Sequence, residues 1–278
     1  MSSLKGIREL LAVGAFLLGG VVTAQESTVS IFDQEHTAWS ELLTEFVHEG
    51  GLVDYVGLGK ERNRFDAYVH SLEAVTAKEF GSWTGIQREA FWINAYNAYA
   101  IELILDHYPV DSIKDMGGWI SSVFDKRYIP LQHLVAVDKR AEASRKKLLS
   151  LGELEHEILF PVSRTPLFHF AIVCASTSCP LLRPEAYTAK KLDEQLQQQT
   201  RAFLADAKRN DQKLSRGRIY VSKIFDWSED ELETYPGGIR KLWRDFGPSS
   251  VVEDAAFPKA KIKYLTYDWS LNQWLPKD

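Results

Sequence analysis

From Ala90 to Leu105 the chain reads Ala-Phe-Trp-Ile-Asn-Ala-Tyr-Asn-Ala-Tyr-Ala-Ile-Glu-Leu-Ile-Leu, a helical pattern that is apolar on nearly every side. A helix with no polar face has to be surrounded, so the rest of the chain must wrap around this segment. Its start is marked by Thr84-Gly85-Ile86-Gln87, a capping box whose hydroxyl and amide satisfy the first-turn N–H groups. Pro109 lies just beyond its end. Asn94, Asn97 and Glu102 interrupt the apolar surface. A buried amide without partners costs a few kcal/mol, of the order of 1–3. Asn94 and Asn97 therefore either tie neighbouring loops to the core or line a polar cavity.

The other periodic segments are shorter. Asp33–Glu49 carries Trp39, Leu42, Leu43, Phe46 and Val47 on one stripe and meets Gly50-Gly51, a helix with its stop. Residues 52–56 read as a short extended piece, and Phe65, Tyr68, Val69 and Leu72 mark a second helix. Ser150-Leu151-Gly152-Glu153 is another capping box, opening a helix over 151–160. At 100° per residue Leu151, Leu154 and Ile158 share its core face, and His156 falls away from it. A strand is expected over 168–174, a helix over 192–207 and strands over 218–225 and 262–269. Ser215-Arg216-Gly217 invites a hairpin with Lys213-Leu214. Helices dominate and no βαβ rhythm appears. The predicted class is α+β: a helix-rich single domain with a central buried helix and a small, mainly antiparallel sheet.

Lys5 and Arg8, an uncharged run over 10–22 and small residues at Val22 and Ala24 form the three-part pattern of a secretory leader. Its 13-residue apolar core is too short to span a bilayer comfortably. The expectation is cleavage after Ala24, one globular domain over 25–278 without a stable membrane span, and a periplasmic or extracellular address. The formal net charge is −5, and the leader holds two of the 33 basic but one of the 38 acidic residues. An acidic chain argues against general nucleic-acid binding, which rests on phosphate neutralisation.

The two cysteines, Cys174 and Cys179, flank Ala-Ser-Thr-Ser where the apolar run over 168–174 meets a polar turn. This arrangement has three readings. A thiol at Cys174 could be nucleophilic if an imidazole or clustered amides lower its pKa. His169 lies five residues back, on the opposite face of a straight strand. His156 is then the better partner, with Asn94, Asn97 or Glu155 to orient the imidazole or hold an oxyanion. Alternatively, two cysteines in an exported chain pair as a disulfide that fixes the turn. A redox-active pair is the third reading, although the spacing is not C-x-x-C.

Several segments resemble one family. They are Ala90–Ala98, the Glu155-His156-Glu157-Ile158-Leu159 helix, and the block His169–Ser176 continuing through Ser178-Cys179-Pro180, Leu182-Arg183 and Glu185-Ala186-Tyr187. Ile224-Phe225-Asp226-Trp227 and Tyr267–Asn272 complete the likeness. The chain is similar, roughly over 52–272, to the "domain of unknown function 547" family. The resemblance implies an exported protein and assigns no activity. Thr165-Pro166-Leu167-Phe168 stands where the family often has Asp-Pro-Arg-Ile, and Ser228 where an aromatic commonly follows the Trp.

No two of the seven histidines share i, i+4 spacing, and no Gly-rich phosphate loop occurs, so no metal or cofactor is expected. Two function classes follow. One is a thiol-dependent hydrolase or acyl transferase acting on an amide or ester, with Cys174, His156, Asn94 and Asn97 as the catalytic set. The other is a non-catalytic binding or interaction module with a structural Cys174–Cys179 disulfide. In both, Ser176, Ser178 and Arg183 are the binding candidates, and the partner is a small-molecule or peptide ligand.

Overall fold

The predicted central helix runs over Gly85–His107, 23 residues and about 35 Å at 1.5 Å per residue. Its capping box is closed in both directions: Thr84 Oγ1 accepts from Gln87 N at 3.3 Å, and Gln87 Oε1 accepts from Thr84 N at 2.8 Å. In this computed structural model, which describes residues 31–117, 122–137 and 147–276, the helix is buried from Glu89 to Ile101 and again at Leu103 and Ile104. The leader expected over 1–24 lies outside the described residues.

Elements before this helix pack one end of it. α1 (Thr37–Phe46) buries Trp39, Leu42, Leu43 and Phe46, as its stripe requires. It stops three residues short of the predicted Glu49, because Val47 leaves to pair in an antiparallel ribbon, β1 (Val47–His48) with β2 (Leu52–Val53). Gly50 and Gly51 make the turn at φ 80° and 69°. A Cβ on Gly51 would also lie 2.7 Å from Leu182 N, so both conformation and space demand glycine there. The extended piece expected over 52–56 ends early, since Asp54 accepts from Gly57 N at 2.7 Å and starts α2 (Tyr55–Lys60). α3 (Arg62–Glu73) and α4 (Ala77–Ser82) follow, and the central helix is α5. Trp39 stacks on Tyr68 of α3 with ring centroids 5.2 Å apart.

After the short α6 (Gln132–Val135), the second capping box is present as predicted. Ser150 N donates to Glu153 Oε2 at 2.9 Å, and Glu153 N donates to Ser150 Oγ at 3.2 Å. The helix it opens is π-wound over Glu153–Leu159 and runs into α7 (Phe160–Val162). Leu151, Leu154 and Ile158 are buried and His156 is exposed, as the helical count requires.

The strand predicted over 168–174 is absent. Thr165 caps a 3₁₀ turn over Pro166–Phe170, and Ala171–Val173 continue as irregular chain. Phe168–Val173 is buried throughout, His169 included, and a run buried on every side carries no periodicity that separates a strand from a helical turn. The Thr-Pro pair, cap then N1 proline, tips it helical.

α8 (Leu192–Ala205) buries Leu196, Phe203 and Leu204. β3 (Arg218–Val221) alternates exposed and buried but ends at Val221. Ser222 Oγ then accepts from Ile224 N, and α9 (Ile224–Trp227) and α10 (Glu229–Leu232) begin. The hairpin expected there shrinks to one bridge, Ser215 with Arg218, across a turn with positive φ at Arg216 and Gly217. After α11 (Gly238–Phe246) and α12 (Ser249–Val252), β3 finds its partner in β4 (Lys261–Tyr264), in parallel. β4 stops five residues before the predicted Trp269. The tail beyond it makes single bridges instead, Ser270 with Ser112, Leu271 with Ser176 and Gln273 with Val53. The class is the expected helix-rich α+β domain. Antiparallel pairing holds in β1–β2 and most isolated bridges among the described residues, while β3–β4 is parallel.

Candidate functional site

The π-wound stretch, the 3₁₀ turn and α10 bring four titratable side chains together. His156 Nδ1 lies 2.9 Å from Glu231 Oε1. The other oxygen of Glu231 is 2.5 Å from His169 Nε2, an ion-pair contact. His169 Nδ1 is 3.2 Å from Glu155 Oε1, and Tyr96 OH reaches Glu155 Oε2 at 3.5 Å. The His169 side chain is 1% exposed and that of His156 is 50% exposed.

Burial works against a charged His169, but the Glu155 and Glu231 carboxylates outweigh it and hold its pKa above the ordinary histidine value. His156 is raised by its hydrogen bond to Glu231, against partial desolvation. Burial alone would push Glu231 up, yet the two imidazoles bring it down to about 2. Each imidazole next to a carboxylate thus favours its protonated form, and Glu231 next to two imidazoles favours its ionised form. A π-helical segment is a frequent mark of functional sites, and here it carries both Glu155 and His156.

Tyr96, Glu155, His156 and His169 line a cleft of about 630 Å³. One wall is aromatic: Tyr267 and Trp269 centroids are 4.5 Å apart, and Trp227 lies 4.8 Å from Tyr267 and 5.5 Å from Trp269. Lys114 Nζ sits 5.1 Å from the Trp269 ring centre, a cation–π contact. Cys174 and Cys179 also line the cleft, joined as a disulfide with Cα atoms 6.3 Å apart. Among the described residues no group of three or more His, Cys, Asp or Glu is placed to hold a metal ion, and no helix is long and apolar enough to cross a membrane.

Of the expected site residues, Cys174 and His156 line the same cleft. Asn94 and Asn97 are occupied elsewhere. Asn94 bonds both backbone groups of Tyr187, at 2.7 and 3.0 Å. Asn97 bonds Ala171 O at 3.0 Å and Val173 N at 2.8 Å. Ser176 is buried and touches both cysteine sulfurs, at 3.2 and 3.3 Å. Ser178 Oγ accepts from Asp268 N at 2.9 Å, pinning the tail. Arg183 pairs with Glu185 at 2.5 Å, away from the cleft lining.

His169 is the main correction. With no strand, the odd-spacing argument fails, and its ring lines the same cleft as Cys174. Glu231 was missed altogether. It lies within the acidic run Glu229-Asp230-Glu231, which reads as a solvated helix face. Trp227, Tyr267 and Trp269 did carry a signal, since they belong to the two closing motifs of the resemblance. Ser228, at the position where that family commonly has an aromatic, is buried with Oγ 3.5 Å from His169 Nδ1.

Residues 80–204 match the model of the family described as "Protein of unknown function, DUF547", so this part of the chain is a DUF547 domain. The match takes in His156, His169 and both cysteines, while Glu231 and the aromatic wall lie beyond it. No curated protein and no solved structure matches the chain.

Proposed function

We propose that this DUF547-bearing chain is a binding module whose cleft takes a small organic ligand with a flat apolar body and one negative charge. The observation that supports it is Lys114 over Trp269, beside Tyr267 and Trp227. The rings offer stacking surface, and the Lys114 ammonium beside them supplies the positive charge. The disulfide fixes the wall beside these groups. Calorimetric titration with aromatic carboxylates and their neutral amides tests this. The acids bind, and Lys114→Met and Trp227→Ala each weaken them roughly tenfold, about 1.4 kcal/mol. Equal binding of the neutral amides would overturn it.

The proposal includes an address outside the cytoplasm. The leader pattern and the disulfide support it, because disulfides persist in oxidising compartments. Intact-mass analysis of the exported protein should give a chain beginning at Gln25, and a chain beginning at Met1 would contradict it.

A second reading, a thiol-dependent hydrolase or acyl transferase, is favoured by one fact: Cys174 and His156 line one cleft. It requires the disulfide to open first. Reduced protein turning over an activated ester, with the turnover lost in Cys174→Ala, would select this reading over the first.

A further inference from the structure

The surroundings of the two sulfurs are unequal. Both line the cleft, but Cys174 is half-buried whereas Cys179 is 2% exposed. Three donors reach Cys179 Sγ: the backbone N–H of Cys174 at 3.0 Å, Tyr267 OH at 3.2 Å and Ser176 Oγ at 3.3 Å. The two hydroxyls also lie 3.4 and 3.2 Å from Cys174 Sγ, so the backbone N–H and the deeper burial are what distinguish Cys179. Neutral disulfide sulfur is a weak acceptor, so these donors gain little from it. A thiolate at the same position would draw on all three, and charge-assisted hydrogen bonds are roughly twice as strong as neutral ones. Burial keeps the Tyr267 phenol protonated, and hence a donor, to well above its ordinary pKa. The buried Arg209 guanidinium adds positive charge: Nε bonds the Cys179 carbonyl at 2.5 Å and Nη2 the Thr177 carbonyl at 2.6 Å. Asp206 pairs with the same guanidinium and offsets part of that charge.

We propose that Cys174–Cys179 is an exchangeable disulfide, opened by a low-molecular-weight thiol that attacks Cys174 from the cleft while Cys179 leaves as a hydrogen-bonded thiolate. The incoming thiolate forms a bond to Cys174 Sγ, and the electron pair of the broken S–S bond passes to Cys179 Sγ. The product is a mixed disulfide on Cys174. A second thiolate attacks the small-molecule sulfur of that adduct, releasing Cys174 as a thiolate that takes a proton from water or from the His156 imidazolium in the same cleft. Two thiols are oxidised to their disulfide, and the protein gains two electrons. A better-stabilised leaving thiolate departs faster, so the asymmetry sets which sulfur is attacked. The reverse sequence closes the bond, and the cleft wall it fixes becomes responsive to thiol redox state.

The test uses the full chain with glutathione, quenched by alkylation and read by peptide mass spectrometry. Glutathione is expected on Cys174 in about tenfold excess over Cys179, as leaving-group stabilisation dictates. Tyr267→Phe, which keeps the ring, should slow adduct formation about threefold or more, and Ser176→Ala provides a second variant should that one fail to fold. Adducts on Cys179 in equal or greater amount, or no opening without denaturant, would overturn the proposal. As a separate readout, alkylation rate against pH in Cys174→Ser should place the Cys179 thiol below the ordinary value of about 8.5. A value at or above it would also overturn the proposal. Both measurements are made without the cleft ligand, so failure here is distinct from failure of the binding reading.

Discussion

Asn97 Oδ1 accepts the backbone N–H of Val173 at 2.8 Å, and its amide nitrogen donates to Ala171 O at 3.0 Å. One buried side chain of the central helix thereby holds the irregular segment that delivers Cys174 to the cleft. Asn97→Ala leaves two buried backbone groups unpaired, at about 1–3 kcal/mol each. Urea unfolding should show a loss of about 2–4 kcal/mol, and a loss below 1 kcal/mol would mean that water replaces the amide.

The charged network makes stability depend on pH from both sides. His156 and His169 titrate above the unfolded value of 6.5, so what they contribute is fully present below about pH 6.5 and is lost as pH rises through their folded values. Glu231 runs the other way. Its folded value of about 2 lies under the ordinary 4.5, so its contribution is present above pH 4.5 and is lost as pH falls toward 2. Melting temperature measured from pH 2 to 9 should fall on both limbs, and His169→Gln should flatten the alkaline one. An unchanged alkaline limb would remove the network from the account of stability.

Ile101 is 4% exposed within the all-round apolar stretch of the central helix. Ile101→Asp buries an unpaired carboxylate and should leave the chain unfolded, read as loss of the cooperative thermal transition. Ile101→Val, a deletion of one methylene, should cost only about 0.5–1.5 kcal/mol.

Gly51 holds φ 69° against the backbone of Leu182. Gly51→Ala should destabilise by about 1–3 kcal/mol through conformation and the clash. Ala at Gly59, where a Cβ meets nothing within 4 Å, is the matched control and should be neutral or slightly stabilising.

The sequence by itself determined what is local. Both capping boxes, the burial of the central helix, the outward turn of His156 and the helix-rich class follow from spacings of three or four residues, which geometry couples directly. The family likeness also marked the cysteine block and the tryptophans. Tertiary structure alone decided the rest. His156 and Glu231 are 75 residues apart in sequence, and no local pattern records that the chain path closes between them. A run buried on every side, such as Phe168–Val173, specifies no period, so its path was settled by the proline turn and by Asn97. That path set the direction of His169. A carboxylate in an acidic run reads as solvent-facing until a buried imidazole is found opposite it, and that pairing is a property of the assembled core.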